Sequence, residues 1–248
     1  MADVRVVFAG VTGRTGRATG AALDLLQGVE VVGGVSRSPQ GQDLGGIWHG
    51  RSDGRPVYGD VATALRELRP DVLVDFTVAP VAAQSLKAAL LAGVRPVIGT
   101  TGLEEAALRE AESLCEGYGL SGAVIANFSI VSALLSAFAL RAAPFFEGVE
   151  LIELHGPHKR DKPSGTALRL QSELLAAGQD EVAVHSVRLA GYVAHQEVLF
   201  GRAGETLTLR HDALDRSCYA AGVQLVAQGL MSRRGFFRDL APFLDVQG

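Results

Sequence analysis

The chain has 248 residues, 48% hydrophobic and 20% charged, with a formal net charge of −4. That is enough apolar material for a sizeable core and for two domains. The acidic balance argues against a nucleic-acid binder, which would carry a concentrated basic face, and the apolar runs are interrupted too often for a membrane span. Thirty glycines suit an α/β protein with many tight turns better than a helical bundle. Cys115 and Cys218 lie far apart without metal-ligand spacing, and the first residues lack a basic-apolar-small leader pattern. A cytoplasmic protein with buried or free thiols, no metal site and no membrane partner is expected.

Residues 4–9, Val-Arg-Val-Val-Phe-Ala, are a β-branched run of buried-strand type. Gly10-Val11-Thr12-Gly13-Arg14-Thr15-Gly16 follows at once, and then a helical pattern carried by Ala18, Ala21, Ala22, Leu25 and Leu26. Strand, glycine turn and helix are the context in which a glycine motif predicts a dinucleotide site. Gly10 permits the turn, Gly13 lets a pyrophosphate approach the backbone, and Gly16 allows close helix–strand packing. The spacing is G-x-x-G-x-x-G, so an ordinary βα turn stays open as an alternative. A second strand, Val29 to Val35, ends in Ser36-Arg37-Ser38. An acid there would bind a ribose 2′-hydroxyl, whereas an arginine suits a 2′-phosphate, so NADPH is favoured over NADH.

The α/β rhythm continues. Val72 to Thr77 reads as a strand ending in Asp-Phe-Thr, followed by a helix from about Val81 to Leu91. Val94 to Ile98 is the next strand, ending in Gly99-Thr100-Thr101-Gly102, and a helix follows around 104–116. Ala123 to Ala126 leads into Asn127-Phe128-Ser129. Ligands of parallel sheets bind beyond the carboxyl ends of strands, so these three polar ends are expected on one crevice.

Near Asn127 the pattern changes. A helix over 130–141 precedes an alternating strand, Val149 to Leu154, a helix from Ala167 to Ala177, and strand-like runs at 182–189, 193–200 and 205–211. These predict a separate α+β unit, and the helical segment Ala220 to Gln228 is expected to return to the first domain. The expected fold is therefore α/β: an N-terminal Rossmann dinucleotide-binding domain over 1–127, completed by 220–248, and a smaller α+β substrate and oligomerisation domain over 128–219.

Between the strand and helix of that second unit lies Glu153-Leu-His155-Gly156-Pro-His158-Lys159-Arg-Asp161-Lys-Pro163-Ser164-Gly165-Thr166. It sets a histidine and further cations beside an acid and runs into Pro-Ser-Gly-Thr, turn chemistry that offers backbone N–H groups and a hydroxyl to an anion. Such a set can bind a carboxylate and move a proton near it. A charged surface turn before a helix start is the plainer alternative.

Taken in order, Gly-x-x-Gly-Arg-x-Gly, Asp-Phe-Thr, Gly-Thr-Thr-Gly, Ala-Asn-Phe-Ser and Glu-x-His-x-x-x-Lys-x-Asp-x-Pro-Ser-Gly-Thr resemble the dihydrodipicolinate reductase family over nearly the whole chain. Residues 188–205 and 211–216 resemble it more loosely. The resemblance implies a two-domain enzyme whose substrate domains join through their sheets in a homotetramer. It would reduce a cyclic, imine-like dicarboxylate with hydride from NADPH, NADH being possible, in lysine and diaminopimelate biosynthesis. By position, His155 is the family's acid/base histidine and Lys159 its proton donor or orienting cation. Gly156, Gly165 and Thr166 fall at substrate-binding positions. The cofactor would be lined by Gly10, Val11, Thr12, Gly13, Arg14 and Thr15, by Ser36 and Arg37, by Gly99, Thr100 and Thr101, and by Ile125, Ala126, Asn127 and Phe128.

Three departures bear on the substrate. The family's second histidine is Gly156 here, its usual arginine after Asp-Phe-Thr is Val78, and residues 183–190 pass directly into a strand where a longer Gly- and Arg-rich loop is usual. His158 could replace the missing imidazole, but an extended stretch would put it on the opposite face. Two alternatives therefore stay open: a related NADPH-dependent reductase of another cyclic or carboxylated imine, and a non-catalytic nucleotide-sensing homologue.

Overall fold

The structure is a computed structural model and describes residues 3–38 and 42–244. Residues 1–2, 39–41 and 245–248, which fall in the expected first domain, lie outside the described residues. In chain order the elements are β1 (Val4–Ala9), α1 (Arg14–Leu23), β2 (Val29–Val35), α2 (Leu44–His49), β3 (Val57–Tyr58), α3 (Val61–Leu68), β4 (Val72–Asp75) and α4 (Ala79–Leu91). They continue with β5 (Arg95–Ile98), α5 (Glu105–Tyr118), β6 (Ser121–Val124), α6 (Ile130–Ala142), β7 (Gly148–His155) and α7 (Gly165–Ala176). The chain then forms β8 (Val182–Arg188), β9 (Ala194–Arg202), β10 (Glu205–Ala213), α8 (Ala220–Leu230) and β11 (Gly235–Phe237). Two compact units result: residues 1–128 with 216–248, and residues 129–215.

The first unit holds a seven-stranded sheet, ordered β11-β6-β5-β4-β1-β2-β3, in which every pairing is parallel. Helices on both faces bury such strands completely, and Val6, Val7, Phe8 and Ala9 of β1 are all inaccessible. Strand order reverses at β1, between β2 and β4, which opens a crevice at their carboxyl ends. The closing segment belongs to this unit: Ser121 Oγ donates to the Leu230 carbonyl at 2.8 Å, and β11 pairs with β6.

Helix α1 differs from expectation. It ends at Leu23, buries Gly16, Thr19, Gly20 and Leu23, and leaves Leu25 77% exposed. Its packing face is set by small residues rather than apolar ones, because a β-carbon at Gly20 would lie 2.4 Å from the Trp48 ring. Helix α2, strand β3 and helix α3 have no counterpart among the expected elements. Asp43 and Asp60 cap the two helices by accepting from the Gly46 and Thr63 N–H groups.

The second unit is a four-stranded mixed sheet, ordered β10-β9-β7-β8, with α6 and α7 on one face. Helix α7 is the crossover between parallel β7 and β8. The covered face is layered by register. Val149 pairs with Phe200 and Val182, and Leu151 with Val198, in the apolar core. The next rows turn polar: Glu153 is opposite Gln196 and Ser186, and His155 is opposite Arg188. On this face the apolar core thus ends at Leu151.

Candidate functional site

In the first unit the glycine turn follows β1 directly. Gly10 has φ +87°, and a β-carbon there would lie 2.8 Å from the Phe76 carbonyl. Gly13 N–H closes the turn on the Gly10 carbonyl at 3.0 Å. A β-carbon at Gly16 would sit 2.2 Å from that same carbonyl, so α1 can approach the turn only with glycine there. The N-terminus of α1 therefore opens beside a bare backbone, the geometry that receives a pyrophosphate.

A cavity of about 540 Å³ lies beside this turn, and Gly10, Thr12, Gly13, Ser36 and Arg37 line it. Thr12 Oγ1 and Ser36 Oγ are 3.0 Å apart, which ties the glycine turn to the end of β2. Arg37 is exposed at the same end, with no acid beside it on the strand. Asp60, Phe76, Val78, Gln84 and Ser85 also line the cavity, and none of them was among the expected site residues. Asp60 was legible as a helix cap, and the turn after β3 shares the carboxyl edge of the sheet.

The remaining expected cofactor residues lie elsewhere. Val11 is fully buried and its carbonyl accepts from Trp48 Nε1, while Arg14 and Thr15 open α1. Gly99, Thr100 and Thr101 follow β5, and Ile125, Ala126, Asn127 and Phe128 follow β6; none of these lines the cavity. Ile125 and Phe128 have buried side chains and Ala126 is exposed, so the first two can offer a ligand only their backbone. The expected convergence of strand ends is partly visible. The buried Asp75 carboxylate accepts from Thr77 N and Oγ1, at 2.8 and 2.6 Å, and from Thr100 Oγ1 at 3.3 Å. This bond set stops β4 at Asp75, two residues earlier than expected.

In the second unit β7 ends at His155. His155 Nδ1 lies 2.5 Å from Glu153 Oε2, a spacing of two that puts both on one face of the strand. Glu153 is 1% exposed, and its other oxygen accepts from Arg188 Nη2 at 2.6 Å. Burial pushes the Glu153 carboxyl up, but bonds from Arg188 and His155 outweigh it and hold the group ionised below its usual value. An ionised acceptor requires the proton of the neutral His155 ring to sit on Nδ1, which leaves Nε2 unprotonated. Burial holds His155 itself below its ordinary value, with Glu153 acting in the opposite sense.

The chain then turns, with Lys159 N–H donating to the Gly156 carbonyl at 3.2 Å. The stretch is not extended, so strand alternation does not govern His158, which is exposed in this turn. Lys159 Nζ lies 2.8 Å from Asp161 Oδ2. That bond leads in holding the Asp161 carboxyl below its usual value, and Gly165 N–H adds to it from the start of α7. Ser164 caps the helix by accepting from Ala167 N–H at 3.3 Å, which starts α7 at Gly165 rather than Ala167. Gly165 and Thr166 are both exposed at the helix start. The Lys159 ammonium of this turn therefore already holds one carboxylate. Glu153 and Arg188 were absent from the expected site residues, although the Glu-x-His spacing pointed to the first.

A parallel sheet with a glycine turn and a lined cleft at its switch point defines a Rossmann-type nucleotide-binding protein. The family models for the dihydrodipicolinate reductase N-terminus and C-terminus match residues 4–128 and 130–244. The 4-hydroxy-tetrahydrodipicolinate reductase of Symbiobacterium thermophilum is 41% identical over 97% of both chains. That of Geobacillus thermodenitrificans is 38% identical over 92% of this chain and 94% of its own. A solved structure of dipicolinate-bound dihydrodipicolinate reductase from Paenisporosarcina sp. TG-14 superposes with a TM-score of 0.85, at 29% identity, covering 98% of this chain and 100% of the other. The chain belongs to the dihydrodipicolinate reductase family, and its cofactor is a nicotinamide nucleotide.

Proposed function

We propose that this chain reduces 4-hydroxy-tetrahydrodipicolinate to tetrahydrodipicolinate in lysine and diaminopimelate biosynthesis, using NADPH, with His155 and Lys159 as its proton-handling pair. Among the structural observations, the one that carries the reading furthest is the Asp161 carboxylate 2.8 Å from Lys159 Nζ. A cation that already pairs with one carboxylate suits a dicarboxylate substrate, and Thr166 adds a hydroxyl. Gly156 would contribute room and backbone in place of a side chain.

The 4-hydroxyl leaves as water, and a hydride and a proton then add across the conjugated imine. A bound nicotinamide supplies the hydride. Negative charge develops on the ring as the hydride arrives, and the Lys159 ammonium stabilises it and delivers the proton. Glu153 fixes the His155 ring so that Nε2 can accept or return a proton at the substrate.

NADPH is favoured by the chemistry at the end of β2. Arg37 offers a planar guanidinium to a 2′-phosphate, with the Ser36 hydroxyl beside it. Gly10, Thr12 and Gly13 would hold the pyrophosphate. Asp60 lines the same cavity and opposes a phosphate electrostatically, so the preference leaves NADH usable. The outer face of the four-stranded sheet carries the partly buried Ile152, Val187 and Leu199, and no helix of its own unit covers it, which supports assembly into a homotetramer. Cys115, buried and outside any disulfide among the described residues, is in keeping with a reducing cytoplasm.

Dipicolinate, bound by the Paenisporosarcina enzyme, is the test ligand. In the presence of NADPH, calorimetry should detect dipicolinate binding to the wild type and its loss in Lys159→Ala. Equal affinity in both proteins contradicts the reading. Gly156 favours one alternative, reduction of a different cyclic imine, and such a protein would show no dipicolinate binding at all.

A further inference from the structure

The residue that joins the two halves of the proton-handling pair is on neither of them. Arg188, the last residue of β8, pairs in register with His155. Its Nη2 donates to the Glu153 carboxylate at 2.6 Å and to the Asp161 carbonyl at 2.7 Å. Glu153 bonds the His155 ring, and Asp161 bonds Lys159 through its carboxylate. The neighbouring Leu189 N–H donates to the His155 carbonyl at 3.0 Å, which fixes the end of β8 against the end of β7. Arg188 Nη1 donates to the Val187 carbonyl at 2.7 Å, so the guanidinium is anchored on its own strand as well.

We propose that Arg188 is a positioning residue, holding the imidazole of His155 and the turn that carries Lys159 in one shared geometry. The inference rests on the reading of His155 and Lys159 given above and deepens it. Energetics favour positioning over stability as the role of the Glu153–Arg188 pair. The two side chains are 1% and 12% exposed, and a pair so far from water recovers little net free energy after desolvation. What it gains is direction. A planar guanidinium fork reaching two acceptors fixes the relative placement of the elements that bear them. The two acceptors here belong to β7, behind the histidine, and to the turn, beside the lysine.

The test is a mutant cycle on the full enzyme, with turnover, KM, NADPH affinity and melting temperature measured for each variant. Arg188→Met should lower kcat about ten- to a hundredfold, with NADPH affinity unchanged, because two charge-assisted bonds are lost at the chemical centre. Arg188→Lys, which keeps a cation beside Glu153, should recover part of that loss. Because Arg188 acts through both His155 and Lys159, adding Arg188→Met to the His155→Ala/Lys159→Ala double variant should scarcely slow it further. Multiplying losses, or a fall in melting temperature with turnover intact, would overturn the positioning role while leaving the site reading in place. Wild-type turnover in Lys159→Ala would overturn both. Should Arg188→Met fail to fold, Arg188→Gln keeps a donor at that position and takes its place in the cycle, judged by the same comparison.

Discussion

A β-carbon placed on Gly156 would lie 3.1 Å from the carbonyl oxygen of Tyr192. The segment joining β8 to β9 therefore packs against the position where the family's second histidine is usual. The contact is tight but not prohibitive, since a shift of a few tenths of an ångström in the neighbour would relieve it. A carboxylate that loses a hydrogen bond from a histidine binds about ten- to a hundredfold more weakly. We expect a high KM for the dicarboxylate, lowered by roughly that factor in Gly156→His. A KM that is low in the natural protein, or activity abolished by the change, would mean a pocket rebuilt around glycine, and steady-state kinetics on both proteins decides it.

Lys159→Ala should cost kcat about 10²–10³-fold, the usual effect of removing a donor aimed at developing charge. His155→Ala should also lower kcat while leaving NADPH affinity close to that of the wild type. Fluorescence titration of bound NADPH beside the kinetics separates the two effects. Near wild-type turnover in both variants contradicts the assignment of this turn as the chemical centre.

The pH dependence follows from the groups around His155. Burial holds its imidazole below 6.5; Glu153 on its own strand raises it, while Lys159 on the turn and Arg188 on β8 lower it further. The kcat/KM profile should therefore bend below pH 6.5. Glu153→Gln removes the raising influence, so the bend should move to still lower pH; an unmoved bend contradicts the dyad. Stability has a definite sign too. His155 and His211, the latter also lowered chiefly by burial, bind protons more readily unfolded than folded. Their contribution is intact above 6.5 and is lost as pH falls through their folded values, so thermal melts should shift downward on mild acidification.

Arg37→Ala should weaken NADPH binding about tenfold or more while leaving NADH nearly untouched, because only the former carries the phosphate that a guanidinium pairs with. Asp60→Asn, removing an acid from the same cavity, should strengthen NADPH relative to NADH. Equal losses for both coenzymes in Arg37→Ala would mean that this arginine reads no phosphate.

Much of this was legible in the sequence because it is local. Gly10, Gly13 and Gly16 declare a turn by their spacing, and β1, β2 and β5 declare themselves by β-branched runs. Glu153 and His155 share a face simply because strands alternate. What was hidden depends on partners distant in the chain. Helix α1 presents Gly16, Thr19 and Gly20 to its neighbours, a face no hydrophobic pattern reveals, since it is shaped by Trp48 and by the Gly10 carbonyl. Helix α2, Leu-Gly-Gly-Ile-Trp-His, is too short and too rich in glycine to show a period. Arg188 became visible only through the register that sets it opposite His155, which the α7 crossover determines. Asp60 and Gln84 reach the cleft from elements the coarse pattern did not connect with it.

Turnover of the named substrate is the most direct measurement. With 4-hydroxy-tetrahydrodipicolinate generated in place from pyruvate and aspartate semialdehyde by its synthase, NADPH absorbance should fall in step with substrate formation. The dependence should vanish when the synthase is omitted and collapse in Lys159→Ala. Tight NADPH binding with no oxidation of it, under conditions where the synthase demonstrably delivers substrate, would contradict the account.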